Sequence, residues 1–245
     1  NGVAKQLKIK TLNNYNVNNI NFVFDIKNKK YKFLKIETEL NTIKLNFPSV
    51  TVVEKNDSFF IDGKIINKEK VIPFDKIKDL LVGYTDLNLK HLHLISKNNF
   101  SFEVSKKFKL SNLNISSEIN LSKLTYKNNF KSIQKYFPEI KDLINLKDHE
   151  IKFNYNKDKT KITGSGKILI EGNEDKISYE ITKKNNKYYF KKILEVKQDI
   201  FIDELQYKKA KNKKALIKIQ GTVSKNKNLF VNEFSLIENN NSILL

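Results

Sequence analysis

Apolar and polar residues alternate along most of this chain. Ile20, Phe22, Phe24 and Ile26 are separated by Asn21, Val23 and Asp25, and Phe100, Phe102 and Val104 repeat the pattern. Leu113, Ile115, Ile119 and Leu121 continue it, followed by Ile151, Phe153 and Tyr155, by Ile168 and Ile170, and by Ile177, Tyr179 and Ile181. Tyr188 with Phe190 and Ile217 with Ile219 close the series. A period of two belongs to strands with one apolar and one wet face, so the pattern predicts about fifteen strands in an antiparallel sheet. The breaks between runs are Asn, Lys and Asp clusters such as Asn28-Lys29-Lys30, Asn98-Asn99 and Asn185-Asn186. Helical spacing occurs in two short places. Phe74, Ile77, Leu80 and Leu81 follow Pro73 and stop at Gly83, which predicts a helix near 74–82. Phe130, Ile133, Tyr136 and Phe137, then Ile140, Leu143 and Ile144, form a stripe interrupted at Pro138, which predicts a kinked helix near 130–145.

The expected fold is therefore mostly β: a long twisted antiparallel sheet forming an open groove, with a few short helices. Ile77-Lys78-Asp79-Leu80-Leu81 and Ile140-Lys141-Asp142-Leu143-Ile144 are nearly identical pentapeptides, hinting at a pseudo-repeat with a boundary near 128–130. No linker rich in Pro, Gly or Ser divides the chain, so residues 1–245 are expected to form one elongated unit. The sequence contains no Met, even at position 1, as expected of a processed product or an excerpt from a longer polypeptide.

Composition narrows the chemistry. With 39% hydrophobic and 11% aromatic residues the chain carries enough apolar material to fold. No apolar run reaches the roughly 18 residues of a membrane-spanning helix, and the first 25 residues have no signal-peptide organisation. Cys is absent, excluding disulfides, thiolate metal sites and Cys nucleophiles. The formal charge of +19 points first to nucleic acid, but all 46 basic residues are Lys. Arg supplies the bidentate contacts to phosphate and guanine, and its absence argues against specific nucleic-acid recognition. The abundance of Lys, Asn and Ile alongside only three Ala follows A/T-rich codon usage, and the lysines are expected to be spread over the solvent face of the strands.

No enzyme is visible in the sequence. His91 and His93 share a face if their segment is a strand, yet no third metal ligand lies nearby, and His149 falls among polar residues of a turn. Gly164-Ser165-Gly166-Lys167 lacks the upstream Gly of a phosphate-binding loop and leads into a strand, so its glycines indicate a bend or a close approach. Glu174-Asp175 and Asp203-Glu204 sit in lysine-rich stretches that suggest solvated turns. No cofactor, metal site or catalytic residue is expected.

What remains is the apolar face, which a second sheet, a closed barrel or a lipid must cover. Ile72-Pro73-Phe74-Asp75-Lys76-Ile77-Lys78-Asp79-Leu80-Leu81 leads into Asp86-Leu87-Asn88-Leu89-Lys90-His91-Leu92, and Leu113-Asn114-Ile115-Ser116-Ser117-Glu118-Ile119-Asn120-Leu121 follows. These stretches resemble the AsmA-like family, of the YhdP and TamB type. Ile162-Thr163-Gly164-Ser165-Gly166-Lys167-Ile168 and Ile217-Lys218-Ile219-Gln220-Gly221-Thr222-Val223 have that family's manner of bending a strand at Gly. The resemblance implies a segment of a bridge-like lipid transfer protein of a double-membraned bacterium. It implies a periplasmic location, an inner-membrane anchor absent from this chain, and a β-groove carrying phospholipid toward the outer membrane without catalytic residues. Phe22, Phe24, Phe100, Phe102, Ile151, Phe153, Ile217 and Ile219, paired two apart in separate strands, are the expected acyl-chain contacts. The alternative is a surface or secreted adhesive module in which a sandwich core seals the same residues.

Overall fold

The computed structural model of the protein describes residues 1–10, 16–40, 43–68, 71–72, 88–127, 143–170, 173–185, 187–197, 199–203, 206–210, 213–224, 229–239 and 241–244. Sixteen strands follow in order: β1 (Gly2–Lys10), β2 (Asn16–Lys27), β3 (Lys30–Leu40), β4 (Ile43–Glu54), β5 (Ser58–Asn67), β6 (Asn88–Ser105), β7 (Leu110–Lys127) and β8 (Leu143–Tyr155). Then come β9 (Lys159–Ile170), β10 (Asn173–Lys184), β11 (Lys187–Val196), β12 (Ile200–Ile202), β13 (Tyr207–Lys209), β14 (Ala215–Val223), β15 (Leu229–Glu238) and β16 (Asn241–Leu244). Fourteen of them make one antiparallel sheet in which β1 to β11 pair strictly in sequence order and β14, β15 and β16 continue from β11. The sheet stays open, with β1 and β16 at its two edges, and β12 and β13 form a separate two-stranded hairpin.

The helix expected near 74–82 lies outside the described residues, as does most of the one near 130–145. The last three positions of the latter, 143–145, belong to β8 instead, where Leu143 pairs with Lys127 and Asn145 with Thr125. Extension wins there because β7 offers a complete ladder of hydrogen bonds, whereas one turn of helix offers few. The sheet continues unbroken from β7 to β8 across the supposed repeat boundary.

Strand pairing fixes which residues share a face, since directly opposed residues point the same way. One row of partners runs Phe24, Phe33, Val50, Gly63, Phe100, Ile115 and Tyr155 across β2 to β8. Another runs Ile151, Gly164, Tyr179, Lys192, Ile219 and Phe234 across β8 to β15. On the opposite face a row of alternating charge passes through Lys97, Glu118 and Lys152 and resumes with Glu180 and Lys191. Asn19, Asn112 and Asp148 have positive φ inside strands and accompany register shifts, the mark of bulges that bend a sheet.

Among the described residues a packed core forms at one end only. Val196, Ile200, Ala215, Ile217 and Leu236 are buried together, with Ile202, Tyr207 and Ile243 packed around them. Ile200, Ile202 and Tyr207 come from the β12–β13 hairpin, which thus lies as a strap over the apolar face of β11, β14 and β15.

Candidate functional site

The register places all eight expected contact residues on the apolar face. Phe22 and Phe24 stand on β2 with ring centroids 6.2 Å apart, and Phe22 meets Phe33 edge-on at 5.4 Å. Phe100 and Phe102 stack at 5.9 Å on β6, and Phe47 approaches Phe100 edge-on at 6.5 Å. Phe153 opposes Ile162, which opposes Ile181, while Ile151 opposes Gly164. Phe22, Phe24, Phe100, Phe102, Ile151 and Phe153 are all half-buried, with no second layer of described residues above them. Ile217 and Ile219 differ. Ile217 is 5% exposed beneath the strap and presents no open surface, while Ile219 is half-buried and packs against the same cluster.

Glycines shape the face. Gly63 lies beneath the Phe100 ring, Gly164 beneath Tyr179 and Gly221 beneath Phe190, so each ring settles onto bare backbone where a side chain would stand. Gly166 does the same for His149, whose Cα would sit 2.8 Å from an added Cβ. His149 therefore occupies no polar turn: it is 1% exposed, inside β8, on the apolar face. Its Nε2 lies 2.9 Å from the Lys167 carbonyl and donates to it, and its Nδ1 lies 3.4 Å from the Tyr179 hydroxyl. Burial raises the Tyr179 phenol above its ordinary value. The Gly-Ser-Gly-Lys stretch is thus strand backbone accommodating two rings, in keeping with the close approach its glycines indicate.

The apolar face is interrupted. Asn67, Ser96, Asn98 and Ser117 cluster on β5, β6 and β7, where the Asn98 amide donates to Ser96 Oγ at 3.0 Å. Beside the strap, Asp175 is buried and its Oδ1 accepts from the Lys197 amide at 2.9 Å, which corrects the solvated turn expected for Glu174-Asp175. Tyr207 donates to Glu238 Oε2 at 2.8 Å, and burial together with that carboxylate raises its phenol strongly. Burial lowers the Lys209 ammonium, an effect opposed by Glu238, Asp199 and Asp175. Asp175 and Lys209 are thus buried alongside the aliphatic residues of the strap.

The polar face carries a large hollow, a trough of about 1040 Å³ across β5 to β11. Its walls include Ile66, Lys97, Glu118, Lys152 and Lys191, and Ile119, Ile151 and Gly164 contribute where their strands pass beneath. Sequence reasoning missed it, because it arises from curvature rather than from any residue pattern. On the same face Glu174 pairs with Lys147 at 2.9 Å and Lys167 at 3.2 Å, and Lys167 also reaches Asp148 at 3.3 Å. These lysines hold the Glu174 carboxyl below its ordinary value, and Glu174 and Asp148 raise Lys167.

No group of three or more His, Asp or Glu side chains with metal-binding geometry occurs among the described residues. His93 pairs with Lys123 of β7 next to a register shift and forms an isolated bridge with Val71. No protein-family model, curated protein or solved structure matches this chain.

Proposed function

We propose that the chain is a lipid-binding segment whose apolar sheet face carries phospholipid acyl chains, and that it supports phospholipid movement between the inner and outer membranes of the periplasm. One observation supports this above the others: Phe22, Phe24, Phe100, Phe102, Ile151 and Phe153 share a half-buried face that no second sheet of described residues covers. A sealed adhesive sandwich would require such a sheet, and the strap covers only the end formed by β11, β14 and β15. Burying methylenes on that face is favourable by roughly 0.8 kcal/mol per CH₂, so two acyl chains have ample driving force while a head group remains in water. An open apolar face of this kind suits a segment of a longer bridge, which is what the resemblance to the AsmA-like family implies. With Ile217 sealed, the contact surface runs from β2 to about β10 and ends at the strap.

The test is direct. Protein purified without added detergent should yield phospholipid by mass spectrometry, and photo-crosslinking to lipid should fall in folded Phe102→Asp and Phe153→Asp variants. A parent that carries no lipid, or folded variants that crosslink as well as the parent, would sink the proposal and favour the sandwich.

A further inference from the structure

Five tight turns of the described sheet, joining β2–β3, β4–β5, β6–β7, β8–β9 and β10–β11, emerge along one margin, at the ends of the strands. At about 4.8 Å per strand, neighbouring turns lie roughly 10 Å apart, close to one Debye length at 0.1 M salt, so their charges act jointly. Segments 27–30, 106–109, 156–159 and 183–187 hold eleven lysines and a single carboxylate, Asp158. None of the ion pairs found among the described residues engages a lysine of these four turns. The ion pairs that do form on the polar face lie between strands, Lys161 with Glu180 and Lys147 with Glu174. The four turns thus carry about half of the chain's formal net charge of +19. The turn between β4 and β5 is the exception, with Glu54 and Asp57 against Lys55, which is bound to Glu103.

The middle of the row carries a second signal. Lys106-Lys107-Phe108-Lys109 places Phe108 at the tip with 90% of its surface exposed, and Leu110 beside it is 58% exposed. Phe108 has φ of 57°, a left-handed conformation that Gly or Asn adopts far more easily than a bulky aromatic. The turn is nonetheless well built: Phe108 N donates to the Ser105 carbonyl at 2.9 Å and Lys106 N to the Asp57 carbonyl at 3.1 Å. Pairing of β7 with β8 begins only at Ile115, so 110–114 overrun β8 and the tip projects past the neighbouring hairpin. Neither packing nor backbone preference accounts for a Phe there.

We propose that this margin docks on an anionic membrane surface, the lysine-bearing turns lying against lipid head groups and Phe108 with Leu110 inserting at the interface. Lysines near a negatively charged bilayer and an aromatic at head-group depth are the two parts of interfacial anchoring. The complete absence of Arg makes a membrane a better fit than a nucleic acid. The inference does not depend on acyl-chain carriage by the apolar face.

The chain has no Trp, so Phe108→Trp reports its own surroundings. Vesicles of phosphatidylcholine alone and of phosphatidylcholine with phosphatidylglycerol are the probes, with a DNA duplex as competitor. The variant should bind only the anionic vesicles, with a blue shift of emission, and release them as salt rises toward 1 M, where the Debye length falls to about 3 Å. Replacing Lys106, Lys107 and Lys109 by Gln should weaken binding by about tenfold or more. Phe108→Ser should weaken it without changing the dichroism spectrum. Phe102→Asp should still bind, which separates this result from failure of the acyl-chain proposal. Equal binding to both vesicle types, an unshifted indole emission from the Phe108→Trp variant in its bound state, or displacement of vesicles by the duplex would overturn the inference.

Discussion

At the scale of single residues, the contact between Gly166 and His149 constrains the face tightly. A methyl group at Gly166 meets both the imidazole and the His149 backbone, and the ring cannot swing away because it is buried and bonded to the Lys167 carbonyl. Gly166→Ala is expected to destabilise the protein by about 1–3 kcal/mol, read as a lower denaturant midpoint at unchanged slope. A second prediction concerns acid. The folded-state pKa of Glu174 lies below its ordinary 4.5, so the folded protein binds fewer protons there than the unfolded chain. Its contribution is fully present above about 4.5 and is lost as pH falls through the folded value. Because the pair is exposed, the effect is small and salt-sensitive. Melting curves between pH 7 and pH 3 should show a shallower acid slope for Glu174→Gln than for the parent. His149 itself escaped the sequence reading because it stands among Lys147, Asp148 and Glu150, whose charges suggest a turn, although it is in phase with Ile151 and Phe153.

At the scale of elements, long strands announce themselves and short ones do not. β6 and β7 carry their pattern over eighteen residues each, whereas β12 and β13 have three apiece, too few for alternation to register. The strap was therefore invisible in the sequence, and with it the burial of Ile217. Its importance can be measured. Leu236→Ala should cost about 2–5 kcal/mol, since the cavity opens in the one packed core of the described residues. Ile200→Asp should detach the strap, so that amide exchange in β14 rises while β6 and β7 keep their protection. Unchanged exchange in β14 would mean that the strap does not hold that end closed. The margin of lysine-bearing turns follows a different rule, because turn residues were recognised from Asn and Lys clusters, but their gathering into a single row depends on every strand having the right length and register.

For the whole molecule, antiparallel architecture was legible because one face stays apolar from strand to strand, and the ladders from β1 to β16 follow from it. Curvature was not legible, since it comes from bulges and from rings settling over glycine, and so the trough on the polar face went unforeseen. The order of the sheet has a mechanical consequence. Every ladder except that between β11 and β14 joins strands adjacent in sequence, and the two edge strands hold the two ends of the described chain. Within the sheet each strand hydrogen-bonds only to its neighbours, as in a solenoid, so stability adds up largely hairpin by hairpin. A force applied between the ends loads one strand's hydrogen bonds at a time and peels them like a zip, where a sheet with its terminal strands side by side would have to shear all of them at once. Pulled in this way, the molecule should lengthen in a series of small low-force steps travelling inward from the edges, with the largest step where β11, β14 and β15 release together with the strap.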